Sequence, residues 1–197
     1  RAEKKAQVIK EKEQGTFEAN LYEIYDQMPF ESVTKEELLE LELNIEKKCL
    51  FLNPSIASLL RYYHEKGIPV VLLSDMYLFR EQVEDLLASV GFDCAILDDI
   101  IISSQYLVSK WNKGLYQVLL DKYSHISPSE MIHIGDNYHT DVVNALKCGM
   151  RAIHYKSRQD TGSAFELERY RRSALLPEMF FLRKLAGQLS GEFEAGK

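Results

Sequence analysis

Polar side chains follow several apolar segments of this chain, at the points where those segments end. The clearest case is the stretch 131–143, in which an apolar strand leads into Gly135 and Asp136 and a second carboxylate follows at Asp141. Mg²⁺ prefers hard oxygen ligands and keeps several waters, so one or two carboxylates and a substrate phosphate suffice to bind it. The pattern indicates a divalent-metal and phosphate site, in which the glycine leaves room for backbone and ion.

Further polar residues follow two other apolar segments of the chain. The first strand candidate ends at Ser74 and Asp75, and Lys110 lies in the loop after the second. A hydroxyl can donate to a phosphate oxygen, an ammonium can neutralise phosphate charge, and carboxylates can hold a bridging metal. Each residue alone is more often a turn or surface residue, so the prediction depends on their order and spacing.

The elements that must position these side chains begin after Asn53. We expect helices over residues 55–66, 80–90, 115–123 and 141–147, and strands over 68–73, 100–102, 131–134 and 151–155. Continuous apolar strands that alternate with amphipathic helices indicate a parallel sheet covered on both faces. Ligands of such sheets bind at the carboxyl ends of the strands, which is where the polar residues lie.

The first fifty residues have a helical pattern and contain no strand candidate. A charged helix is expected over residues 2–14, Thr16 is expected to cap a second helix, and Thr34 with Glu37 forms a capping box before a third. We therefore predict a helical cap module over residues 1–52, an α/β core over 53–158, and a helical tail over 159–197 that is broken at Pro177.

The composition excludes several classes of function. A chain of 197 residues can bury one good-sized core, and a net charge of -6 without a basic cluster argues against nucleic acid or an anionic membrane as principal partner. No apolar run approaches the length of a membrane span. The three widely spaced cysteines predict reduced thiols, and without a visible signal peptide the cytoplasm is the expected location.

Ser74 after a strand, a lysine some tens of residues later, and Gly135-Asp136 with Asp141 resemble three of the four motifs of the haloacid dehalogenase (HAD) superfamily of phosphatases and phosphotransferases. The resemblance covers about residues 54–156. The phrases at 73–78 and 133–137 are similar to the HAD-like domains that accompany glycosyltransferases in bacterial surface-polysaccharide loci. This resemblance implies a Rossmannoid parallel sheet flanked by helices, with an N-terminal helical cap that selects the substrate.

The resemblance also implies roles for the matching residues. Ser74 would hydrogen-bond the phosphate and Asp136 would hold Mg²⁺. Asp141 would belong to the metal site by supporting the coordination shell of that ion. Lys110 is the expected catalytic lysine, because the family's lysine precedes an apolar pair by five and six residues, and Lys113 is the alternative. Neighbouring residues expected to bind substrate are Asp75, Asn137 and Lys113. His133, inside a strand, is expected to be a hydrogen-bonded core or strand-face histidine.

The family's first motif, an Asp-x-Asp at the end of the central strand, occurs nowhere in this chain. Its first Asp forms an aspartyl-phosphate and its second acts as general acid and base. Since the family's cap follows that strand, we expect the natural protein to have a few tens more residues upstream, which supply the central strand. The chain as given is expected to be inactive.

Two functions follow from these expectations. The first is a phosphatase or phosphotransferase that acts on a small phosphorylated metabolite, such as a sugar phosphate, through an aspartyl-phosphate with Mg²⁺. The alternative is a non-catalytic HAD-like module that binds a phosphorylated ligand or associates with a glycosyltransferase. The upstream residues distinguish the two, because an intact Asp-x-Asp favours catalysis. A receiver-type domain is disfavoured, since it needs its acids before the hydroxyl and the lysine.

Overall fold

The structure, a computed structural model, describes residues 1–28 and 33–155, so the predicted tail over 159–197 lies outside the described residues. Helix α1 spans Ala2–Gln14, α2 spans Leu21–Tyr25 and α3 spans Lys35–Cys49. As predicted, Thr34 and Glu37 form a reciprocal capping box at the start of α3.

The prediction that Thr16 caps the second helix is wrong. The Thr16 hydroxyl accepts a hydrogen bond from the Glu18 amide at 3.2 Å, which closes a local turn instead of a helix. Helix α2 begins at Leu21, where the Asn20 side chain accepts from the Glu23 amide at 3.0 Å and the Glu23 carboxylate accepts from the Asn20 amide at 2.9 Å. The reciprocal capping box at Asn20 satisfies two backbone donors, and it is favoured over a single side-chain cap at Thr16.

The α/β part of the chain consists of four short strands and the helices between them. Strands β1 (Val71–Ser74) and β2 (Asp99–Ile102) pair in parallel, and so do β3 (Ile132–Gly135) and β4 (Arg151–His154). The helices are α4 (Pro54–Glu65), α5 (Arg80–Ser89), α6 (Ser103–Tyr106), α7 (Gly114–Lys122) and α8 (Asn144–Lys147). Within the described ranges, β1 and β3 each pair on one side, and no ladder joins the two pairs.

The first strand begins later than predicted, at Val71. Gly67 adopts a left-handed φ of 70°, and the Ile68 amide donates to the carbonyl of Tyr63 at 3.1 Å. Ile68 therefore completes the end of α4 and is 48% exposed, so it does not belong to the sheet.

Strand β2 is buried on both faces, as a parallel sheet with helices on both sides requires. Ile100 and Ile102 pack with Leu78 and Leu86 on one face. On the other face Ile101 packs in a second cluster with Leu73, Leu115, Tyr116 and Leu119. The period-2 alternation of side chains explains this division, and the predicted α/β fold with parallel strands between helices is confirmed. No helix among residues 1–28 and 33–155 is long and apolar enough to cross a membrane.

Asp99 at the start of β2 joins two helices through charge pairs. Its carboxylate accepts from Arg80 at 2.7 Å and from Lys122 at 2.5 Å. Burial by itself would raise the pKa of Asp99, but the contacts with Lys122, the Ile100 amide and Arg80 outweigh it and hold the pKa below its ordinary value. The ionised form therefore stabilises the folded state.

Asp99→Asn is expected to lower the free energy of unfolding at neutral pH, because it removes the charge that pairs with Arg80 and Lys122. The loss should be only about 1–2 kcal/mol, since water partly screens these two exposed cations. A depressed pKa stabilises the fold above the unfolded pKa, so this contribution should disappear as the pH falls below the ordinary value of 3.8. Urea unfolding of both proteins at neutral and acidic pH measures the effect. Asp85→Asn, which removes a more exposed ion pair with Lys47, is the matched control. Equal stability losses in the two variants would contradict the assignment.

Candidate active site

Asp141 returns to the end of β3 through a tight turn. The Asn137 side chain accepts from the amides of His139 and Thr140 at 3.0 and 3.1 Å, and it caps a π-helical turn over Tyr138–Val143. The prediction that the helix begins at Asp141 is wrong, since helical backbone begins three residues earlier and continues into α8. The added residues place the Asp141 carboxylate against Gly135, where a Cβ added to the glycine would lie 2.3 Å from the Asp141 Cγ.

The Asp141 carboxylate is buried and receives donors on both oxygens. Its Oδ1 accepts from Lys110 Nζ at 2.6 Å and lies 3.2 Å from His133 Nε2, and its Oδ2 accepts from the Asn137 amide at 2.9 Å. The Asp141 side chain is 3% exposed and that of Lys110 is 13% exposed. Burial raises the pKa of Asp141, but the bonds from Lys110 and Asn137 outweigh it, so the pKa falls and the carboxylate stays ionised.

The loop that carries Lys110 is held at its backbone from two sides. The Lys110 amide donates to Asp75 Oδ1 at 2.8 Å. From the other side, the buried Asn144 amide group donates to the carbonyls of Lys110 and Trp111 at 3.0 and 2.9 Å. The strand end of β1 and helix α8 thereby place the ammonium of Lys110 at Asp141.

Lys113 is not brought to this carboxylate. It adopts a left-handed φ of 68° immediately before α7. Burial raises the pKa of the Cys148 thiol, and the charge of Lys113 partly offsets that rise. The structure therefore joins Asp75, Lys110, Asn137 and Asp141 in one network and leaves Lys113 outside it.

The side chains of Asp136 and Ser74 have no hydrogen-bonding partner among the described residues. Asp136 is exposed, its carbonyl lies 2.9 Å from His154 Nε2, and its carboxylate makes no hydrogen bond or ion pair in the described part of the chain. Ser74 ends β1 opposite Ile102, and its hydroxyl likewise has no hydrogen bond there. Both groups lie at the carboxyl ends of strands, Ser74 as the last residue of β1 and Asp136 directly after β3.

Two residues that contribute to this geometry were missed by sequence reasoning. His133 is hydrogen-bonded, as expected for a strand histidine, but its partner is Asp141. Its position two residues before Gly135 was a usable signal, because residues i and i+2 of a strand share a face. Asn144 follows Asp141 by one helical turn, which places both on the side that faces the Lys110 loop.

The side chains around Asp136 and Asp141 offer oxygen ligands that suit a divalent metal ion only in part. No group of three or more His, Cys, Asp or Glu side chains in the described segments could hold a metal ion by itself. Mg²⁺ does not require such a group, since it is commonly bound through one or two carboxylates, substrate phosphate and waters. The unpaired carboxylate of Asp136 fits that requirement, whereas both oxygens of Asp141 already accept protein donors.

The chain is an α/β protein with acids and a lysine at the carboxyl ends of parallel strands, where proteins of this class commonly bind their ligands. The chain belongs to the haloacid dehalogenase-like hydrolases, whose family model matches residues 3–149. Members of this superfamily typically use Mg²⁺. No relative with a curated description matches the chain.

Solved structures share the fold at low sequence identity. A HAD phosphatase from Thermococcus onnurineus is 20% identical with a TM-score of 0.51, over 68% of this chain and 58% of that one. An L-2-haloacid dehalogenase from Xanthobacter autotrophicus is 15% identical with a TM-score of 0.58, over 84% of this chain and 66% of that one. The chain thus spans somewhat less than two thirds of each of these two structures.

Gly135→Ala should destabilise the protein by about 1–3 kcal/mol, because the added methyl group would overlap the Asp141 carboxyl and force the network apart. Chemical denaturation gives the change in free energy of unfolding. Gly15→Ala is the control for a left-handed glycine with open space around it, and its cost of about 1 kcal/mol reflects backbone strain alone. A Gly135→Ala protein as stable as the wild type would contradict this packing.

A double-mutant cycle on Lys110→Met and Asp141→Asn should give a coupling energy of about 1–3 kcal/mol, because each single change leaves a buried polar partner without its counterpart. The same cycle on Lys113→Met and Asp141→Asn is expected to give additive losses. Coupling at Lys113 that equals that at Lys110 would refute the placement of the two lysines.

Proposed function

We propose that this chain belongs to a phosphatase or phosphotransferase that acts on a small phosphorylated metabolite with Mg²⁺. The observation that carries the proposal is the unpaired Asp136 carboxylate beside a neutralised Lys110–Asp141 ion pair. Ser74, whose hydroxyl is available at the end of β1, is proposed to donate to the phosphate.

The balance of charge supports a metal-dependent reaction of a phosphate ester. Asp141 already compensates the ammonium of Lys110, and Asp75 and Asp136 add two more carboxyl groups at the same edge. An anionic substrate would meet excess negative charge there unless a cation came with it. Mg²⁺ held by Asp136, with support from Asp141, would supply the compensating positive charge and a coordination position for a phosphate oxygen.

The nucleophile is proposed to come from an additional strand between β1 and β3. Both strands pair on one side only within the described residues, and a parallel strand between them would complete one sheet and satisfy their unpaired groups. An Asp at its end would attack phosphorus, and the ester oxygen would leave with a proton from a second Asp. That second Asp would then deprotonate a water, which would attack the aspartyl-phosphate, release phosphate and restore the nucleophile.

The alternative is a non-catalytic module that uses the same edge of the sheet to bind a phosphorylated ligand. It predicts binding without turnover, and it holds if the strand between β1 and β3 carries no Asp-x-Asp. Preference for a sugar phosphate and association with a glycosyltransferase belong to the proposal as well, since they rest on the sequence resemblance. A cytoplasmic location is proposed on the sequence grounds given above.

A phosphomonoester screen of the full-length natural protein, with and without Mg²⁺, tests the enzymatic function. We expect turnover that EDTA abolishes, and Asp136→Asn should lower kcat/KM by about two to three orders of magnitude, because the metal loses its carboxylate. The exposed helical variant Asp121→Asn is the matched control and should retain full activity. Turnover that survives both EDTA and Asp136→Asn would contradict the proposal.

A further inference from the structure

An exposed aromatic pair lies on the two loops of the candidate active site. Trp111, the residue after Lys110, is 68% exposed, and its ring packs on that of His139 at a centroid distance of 4.9 Å. His139 belongs to the turn that starts at Asn137, whose amide donates to Asp141. The pair therefore bridges the lysine loop and the turn that follows Asp136.

The backbone beneath this ring is fixed. Asp75 accepts from the amide of Lys110, and Asn144 donates to the carbonyls of both Lys110 and Trp111. The indole is attached to this fixed backbone and remains in water. It therefore forgoes the free energy that burial of a large aromatic group provides. Tyr138 presents a second ring nearby in the same turn, 62% exposed and packed on His154.

We propose that Trp111 is a specificity-determining residue that stacks on an uncharged ring in the alcohol portion of the phosphate ester. This inference rests on the proposed function, because the phosphate would lie at Ser74, Lys110 and Asp136. A ring linked to that phosphate through a few bonds comes within reach of the indole, since the indole packs on His139, three residues after Asp136. Sugars present C–H groups and nucleobases a π face to an aromatic plate, and both bind by this chemistry.

Fluorescence tests binding independently of turnover, because Trp111 is the single tryptophan of the chain. The full-length protein and its Trp111→Phe variant are titrated with glucose 6-phosphate, AMP, glycerol 3-phosphate and inorganic phosphate, and the difference in emission isolates Trp111. We expect a saturable change with one of the two ring-bearing phosphates, which identifies a sugar or a base as the stacked group. Equal changes with all four compounds, or no change with any, would overturn the proposal.

Kinetics separate specificity from catalysis. Trp111→Ala should lower kcat/KM for the preferred ring-bearing ester by roughly 5- to 100-fold, mainly through KM, and the loss for glycerol 3-phosphate should be much smaller. Trp111→Phe should recover part of the loss, and Tyr62→Ala, an exposed aromatic of α4, should change neither substrate. Equal losses for both esters would show a structural role and refute the inference. If no ester is hydrolysed by the wild-type protein, the proposed function fails and the fluorescence result still decides the stacking.

Discussion

The buried carboxylate of Asp141 is the interaction on which the rest of the site depends. An ionised group that is 3% exposed is tolerated only when charge and hydrogen bonds compensate it, and the compensation comes from separate parts of the chain. Lys110 approaches from the loop before α7, His133 from the middle of β3, and the Asn137 amide from the turn after it. The loop, strand and turn are thus held in one arrangement, and Gly135 is small enough to let the carboxylate reach them.

The helical segment is connected to the same edge of the sheet. The carbonyl of Tyr77, two residues after Asp75, accepts from the Leu21 amide of α2 at 2.9 Å, and its hydroxyl donates to Glu42 of α3 at 3.4 Å. Burial, together with the charge of Glu42, raises the pKa of Tyr77 to about 12, so this hydroxyl keeps its proton. Contacts with the helices therefore fix the chain just beyond Ser74 and Asp75.

Local signals predicted most of the elements and their type. Thr34 with Glu37 caps α3, glycines end α1, α4 and α5, and the four apolar segments form strands. Predictions failed where two local hydrogen-bonding choices compete. Thr16 and Asn20 can both cap a helix, and only the reciprocal partner of Asn20 decides between them. Likewise the Asn137 side chain begins a turn before Asp141, so the helix starts earlier than an acidic first turn suggests.

The sequence alone determined the class of fold and the edge of the sheet at which the candidate acids and lysine lie, because these follow from periodicity and from the residue types at strand ends. Only the tertiary structure decided that Lys110, and not Lys113, bonds to Asp141, and that His133 and Asn144 take part in the network. It also showed the Asp136 carboxylate without a partner among the described residues, and Trp111 exposed on the lysine loop. The physical reason is that spacing along a chain predicts which face a side chain occupies, whereas its partners are set by the packing of segments distant in sequence.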